Sequence, residues 1–117
     1  MTVKRIVPDI AADDPARAVA FYQDLLGMVP VMDQGWIRTF ATEPGSSQQI
    51  SFATDGGSGT PVPDLSIEVD NLDDLHRRMR DAGLTIEYGP VSEPWGVRRF
   101  FVRDPFGRLV NILMHVD

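Results

Sequence analysis

Apolar residues follow two spacings along this chain, and stretches of each alternate. From Asp13 to Gly27 the order DDPARAVAFYQDLLG sets Ala18, Val19, Tyr22, Leu25 and Leu26 three and four apart. That spacing predicts an amphipathic helix with those side chains inward, capped by Asp13 or Asp14, with Pro15 in its first turn and Gly27 at its end. From Asn71 to Gly83, NLDDLHRRMRDAG predicts a second helix, with Leu72, Leu75, Met79 and Ala82 inward and Asp74, Arg77, Arg78 and Asp81 outward. The remaining runs alternate or are continuously apolar and predict strands: Arg5 to Ile10, Met28 to Met32, Trp36 to Ala41, Gln49 to Ala53, Leu65 to Val69, Leu84 to Tyr88, Val97 to Val102 and Arg108 to Met114. Gln34-Gly35, the Glu43 to Ser47 run and Asp104-Pro105-Phe106-Gly107 supply turns between them.

The element order is β-α-β-β-β, twice. Superimposing the helices sets Ala18 on Leu75, Tyr22 on Met79 and Leu25 on Ala82, so the repeat survives in element order more than in side-chain identity. Thr54 to Pro63, TDGGSGTPVP, has linker composition and lies near the middle. The expected organisation is one domain of two modules, residues 1–54 and 64–117 joined by 55–63, because neither half could bury a sheet face alone. The fold class expected is α+β.

Composition narrows the chemistry. The chain has 117 residues and no Cys, so thiolate catalysis, disulfides and zinc-cysteine sites are excluded. Seventeen acidic against eleven basic residues give a net charge of -6, which disfavours nucleic acid and anionic membranes as partners. No apolar run approaches the ~20 residues of a membrane helix, and MTVKRIVPD has no signal-peptide core, so a cytoplasmic location is expected. Gly56-Gly57-Ser58-Gly59 is not followed by Lys and opens no helix, so it is no phosphate loop. No serine stands in a nucleophile-elbow context. His76, beside the core-facing Leu75, is expected at the solvated edge of its helix, and His115 past the last strand at a frayed end.

Two anchors, a helix containing Ala20-Phe21-Tyr22 and ending Leu25-Leu26-Gly27, and Glu93-Pro94-Trp95-Gly96-Val97-Arg98 leading into Phe101-Val102-Arg103-Asp104-Pro105-Phe106-Gly107, carry a family likeness. With the repeat between them, the chain resembles the glyoxalase/bleomycin-resistance/dioxygenase superfamily, nearest its bleomycin-resistance branch. The resemblance implies paired β-α-β-β-β modules forming a cupped mixed sheet around a cavity, and a homodimer. Enzymes of the superfamily carry metal ligands at positions that fall here on Val7, Asp64, Asn111 and near Ser51. Only Asp64 is a plausible ligand, since an amide oxygen serves transition metals poorly. No metal or other cofactor is therefore expected.

Binding chemistry is left to aromatics and a few polar groups. Trp36, Arg38 and Phe40 share one face of their strand; either that face or the one with Ile37 and Thr39 lines the cavity. Trp95 is set in a Pro-Trp-Gly loop suited to hold an indole as a stacking surface. Asp9 and Asp64 are carboxylates on the first strand of each module, and either Phe100 or Phe101 points inward. The candidate ligand-binding residues are Trp36, Arg38, Phe40, Asp64, Trp95 and Asn111. The function expected is sequestration of a planar or cationic small molecule without metal. The alternatives are a lyase, isomerase or dioxygenase of the superfamily with an atypical site, and an accessory module without a ligand.

Overall fold

The computed structural model describes residues 1–116. Among them the strands are β1 (Val3–Ala11), β2 (Val29–Asp33), β3 (Ile37–Ala41), β4 (Gln49–Ala53), β5 (Leu65–Val69), β6 (Ile86–Glu93), β7 (Val97–Arg103) and β8 (Leu109–His115), with one α-helix, α1 (Leu72–Asp81). A 3₁₀ turn (Pro15–Arg17) and a π-helix (Val19–Leu25) stand between β1 and β2. The class is α+β, with parallel and antiparallel pairs, and the order strand, helix, three strands occurs twice, the first helix being the π-helix. No described helix is long and apolar enough to cross a membrane.

The chain forms two compact units, residues 7–62 and Met1–Ile6 together with the chain from Pro63 onward. The stretch expected as a linker is an ordered turn. Asp55 Oδ2 accepts the N–H groups of Gly57 (3.0 Å) and Gly59 (3.2 Å), and Gly56 N–H donates to the Thr60 carbonyl (2.8 Å).

Within residues 7–62 the strands run β2-β3-β4-β1, with β1 parallel to β4 and the others antiparallel. Tyr22 packs on Phe52 and Phe40, ring centroids 4.7 and 6.3 Å away, which identifies the Phe40 side of the sheet as the helix side. The periodicity misplaced two residues. Leu25 is 78% and Leu26 60% exposed, not inward. The Leu26 N–H bonds the carbonyl of Phe21, five residues back; this wider winding turns Leu25 away from the Tyr22 face, and Leu26 stands at the C-cap, past the last helical residue.

In the other unit the strands run β5-β8-β7-β6, with β5 parallel to β8. The Asn71 side chain caps α1 by accepting the Asp74 N–H, and Asp73, Asp74 near the start and Arg78, Arg80 near the end suit the helix dipole. The core comprises Val69, Leu72, Phe100, Val102, Val110 and Ile112, with Leu75 and Met79 of α1 against it. Ala82, expected inward, is exposed at the C-cap, where the helix no longer presents a face to the sheet. His76 is half-buried, edge-on to Phe100 at 5.2 Å.

The N-terminal segment joins this unit by reciprocal bonds, Thr2 N–H to Asp70 Oδ1 (2.8 Å) and Asp70 N–H to the Thr2 carbonyl (3.3 Å). Glu68 bridges Arg5 and His115, both at 2.9 Å. His115 is thus the last residue of β8, held by a partner on β5 through the parallel pairing, and not a frayed end. Burial pushes the Glu68 carboxyl upward, but the hydrogen bond from His115 and the charges of Arg5, His115 and Lys4 outweigh it and hold it below its ordinary value of 4.5. A depressed carboxyl contributes stability that is present above the unfolded-state value and lost as pH falls through the folded one. In urea titrations the stability gap between the wild type and Glu68→Gln is expected to be full near neutrality and to narrow as pH drops below 4.5. A gap independent of pH would refute this.

Candidate functional site

Because Phe100, Val102, Val110 and Ile112 face α1, strand alternation turns their neighbours to the opposite face. There the cross-strand partners Ser66, Asn111, Phe101 and Tyr88 form one row across β5, β8, β7 and β6. Phe101 is therefore the phenylalanine on this face, and Phe100 belongs to the core. Arg99 stands in the next row, paired with Leu113 on β8 and Val91 on β6.

Arg99 and Glu93 form an ion pair with side chains only 3% and 4% exposed. Glu93 Oε2 accepts from Arg99 Nε (2.7 Å) and from the Tyr88 hydroxyl (3.1 Å). The Arg99 guanidinium carbon lies 4.8 Å from the Phe101 ring centroid, 5.0 Å from Trp95 and 5.3 Å from Tyr88. A planar, weakly hydrated cation among three aromatic rings and one carboxylate is an arrangement that Lys would not reproduce. Gly96, at φ +89°, closes the turn that carries Trp95 by donating its N–H to the Glu93 carbonyl (3.2 Å).

Asn111 completes the row. Its Nδ2 donates to Ser66 Oγ (3.1 Å), while its buried Oδ1 has no hydrogen-bond partner. Of the six sequence candidates, Trp95 and Asn111 thus stand on this face. Arg38, Phe40 and Asp64 have other surroundings. Phe40 is 1% exposed beneath Tyr22, so the Arg38 and Phe40 face of β3 is the helix side; its opposite face carries Thr39, hydrogen-bonded to Ser51 at 2.6 Å. Arg38 pairs with Asp33 at 3.1 Å, and Trp36, just ahead of β3, is half-buried. Asp64 clamps the start of β8, its Oδ2 accepting the Leu109 N–H (2.9 Å) with Arg108 at 3.7 Å.

The metal positions implied by the family resemblance do not fit an ion. Val7 is apolar, Asn111 offers an amide, Asp64 is engaged by backbone, and the described residues contain no group of three His, Asp or Glu able to hold a metal.

Tyr88, Glu93 and Arg99 were missed by sequence reasoning, yet one signal was present. Three residues, Pro94 to Gly96, separate Glu93 from its partner Val97 across a hairpin, and parity then sets Glu93 and Arg99 on one face. An adjacent Arg98-Arg99 pair in an apolar strand also requires one arginine on each face.

A family model described as the Glyoxalase/Bleomycin resistance protein/Dioxygenase superfamily matches residues 2–112. Comparison with curated proteins gives no match. Among solved structures the chain is similar to methylmalonyl-CoA epimerase from Mycobacterium tuberculosis, with 24% identity over 98% of this chain and 88% of that one and a TM-score of 0.67. It is similar to a superfamily member from Vibrio splendidus 12B01 at 21% identity, over 97% and 99% of the two chains, TM-score 0.65. The 2,3-dioxygenase LapB from Pseudomonas sp. KL28 shares 14% identity over 94% of this chain and 41% of that one, TM-score 0.66. At these identities the likeness concerns the fold.

Proposed function

Since the chain belongs to the glyoxalase/bleomycin resistance protein/dioxygenase superfamily, we propose that it binds a planar small molecule, without a metal ion, on the face of β5-β8-β7-β6 opposite α1. The observation that carries this reading is the grouping of Tyr88, Trp95 and Phe101 around the Arg99–Glu93 pair. Aromatic side chains offer flat, weakly solvated area that stacks conjugated rings at little cost in entropy, and here that area belongs to the half-buried Tyr88 and Trp95, Phe101 being buried. The donor chemistry supports the metal-free part of the reading, since the family's ligand positions here hold an aliphatic, an amide and a backbone-bound carboxylate.

The charge of the ligand follows from the same geometry. The indole of Trp95 already takes a cation from Arg99, and Glu93 balances that cation. An uncharged planar ligand therefore suits the face better than a cationic one. The proposal keeps two-fold assembly of the chain, as the family resemblance implies.

Calorimetric titration of chelator-treated protein with indole, quinazolin-4-one, lumichrome and metal-free bleomycin tests the reading. At least one uncharged compound is expected to bind, and Trp95→Ala to weaken it about tenfold, the equivalent of about 1.4 kcal/mol, while the melting temperature changes little. Failure of every compound to bind, or binding that requires added zinc, manganese or nickel, would overturn the proposal and favour a metal-dependent enzyme.

A further inference from the structure

We infer that the open cleft between the C-terminal half of α1 and strand β6 is a second small-molecule site, one that takes an anion carried on an apolar ring, an aryl carboxylate by class. It lies on the α1 side of β6, away from the aromatic face, and stands or falls apart from the reading above. The cleft measures about 400 Å³ and is lined by His76, Arg80, Leu84, Ile86, Gly89 and Pro90. That volume is within the range of small-ligand sites. Every lining residue is half-buried or exposed, so a ligand reaches them directly from solvent.

The chain opens this cleft at one place in the sheet. Tyr88 pairs with Phe101 and Val91 with Arg99, so Gly89 and Pro90 together stand opposite the single Phe100. Gly89 brings no side chain to that position, and space is left beside α1. His76 and Arg80, four residues apart, share the helix face that meets it.

Its electrostatics are those of an anion site. Among the described residues eight of the ten arginines pair with a carboxylate, and Arg80 does not. Arg80 is not needed to cap the helix either, because the carbonyls of Arg78, Met79 and Arg80 accept the N–H groups of Ala82, Leu84 and Gly83. No carboxylate lines the cleft. The nearby acids are engaged: Glu87 of β6 by Arg103 at 2.7 Å, Asp73 by Arg98 and Asp74 by Arg77. His76 meets Phe100 edge-on, and neither of its ring nitrogens is hydrogen-bonded among the described residues. An imidazole carries at least one N–H whatever its charge, so the cleft holds a guanidinium fork and a second donor with nothing to neutralise them. A carboxylate matches that fork with two parallel hydrogen bonds. Leu84, Ile86 and Pro90 offer apolar area beside it, which a ring covers and a bare inorganic anion leaves wet.

Amide chemical-shift mapping by NMR, with 2-naphthoate, its uncharged analogue 2-naphthamide and inorganic phosphate as probes, tests the assignment. Wild-type protein is expected to bind 2-naphthoate about tenfold more tightly than the amide, with saturable shifts at Arg80, Leu84, Ile86 and Gly89, and to bind phosphate more weakly than either. Arg80→Gln is expected to remove the preference for the carboxylate. Arg78→Gln, which deletes the same charge from the same helix outside the cleft, is expected to keep it. Both arginines are exposed, and an unchanged melting temperature verifies that the variants fold. Equal binding of naphthoate and naphthamide would overturn the inference, as would an equal loss in the two variants, which would assign the preference to diffuse charge. Phosphate binding as tight as naphthoate would overturn the aryl part. Shifts centred on Tyr88 and Trp95 would make naphthoate a ligand of the aromatic face and leave the cleft without a function, whereas failure of the uncharged compounds on that face leaves the cleft untouched.

Discussion

Glu93→Ala is expected to lower the free energy of unfolding by about 3–5 kcal/mol, because it strands the Arg99 guanidinium in the interior without its carboxylate. The Tyr88 hydroxyl loses its acceptor in the same step. For a domain whose total stability is on the order of 5–15 kcal/mol, such a loss is a large fraction of the whole. The cost lies in the uncompensated charge more than in the attraction of the pair. The double variant Glu93→Leu with Arg99→Met is therefore expected to recover most of the stability, since two apolar groups of similar length replace two desolvated charges. Urea unfolding at neutral pH measures both. A loss below about 1 kcal/mol in the single variant, the range of an exposed pair, would show that the charges are effectively solvated.

Gly89→Ala is expected to cost about 2–5 kcal/mol. Gly89 lies in β6 at φ +77°, and a Cβ there would stand 2.4 Å from the backbone carbonyl oxygen of Arg99. A side chain in the left-handed region costs roughly 1–2 kcal/mol, and displacing packed backbone adds about 1–3 kcal/mol. Gly27, at φ +76° with nothing within 4 Å of a Cβ, provides the control: Gly27→Ala should show the conformational part alone. Equal losses in the two variants by urea unfolding would mean that β6 yields freely at Gly89. Because the contact is with the carbonyl of Arg99, displacement would also disturb the ion pair and the rings around it, and ligand affinity should fall together with stability.

Strands were legible because alternation and turn chemistry agreed, as in Trp36 to Ala41 and Gln49 to Ala53, where polar turns bound each apolar run. Which face of a strand is covered was not legible, since alternation fixes that Arg38 and Phe40 share a face without saying that Tyr22 packs on it. The same ambiguity left Phe100 and Phe101 undecided until α1 could be placed on Phe100. Leu25 failed for a different reason: the periodicity argument assumes 3.6 residues per turn, and this helix is wound more widely, ending before Leu26. His115 and Glu68 are far apart in sequence and meet only through parallel pairing of β5 with β8, which no local pattern reveals. Of the candidate site, Trp95 was marked by its loop and Asn111 by its position in the family pattern. Glu93 and Arg99 were hidden because charged residues are ordinarily read as solvated, and only hairpin parity sets these two together.

The division of the molecule into units has a consequence for vectorial synthesis. Residues 7–62 are continuous and have all of their own unit as soon as Val62 leaves the ribosomal tunnel. Thr2 must wait for Asp70, and Arg5 for Glu68, although both emerge before any residue of that continuous unit. A nascent chain halted just past Val62 would thus carry Thr2 and Arg5 before their partners Asp70 and Glu68 exist. Val3 and Ile6, beside them in the chain, remain partly exposed even in the finished fold, so during the wait they present apolar surface to chaperones and to other nascent chains. The order of folding would then run against the order of synthesis for the first residues of β1, which gain their partners Glu68 and Asp70 only after β5 has emerged.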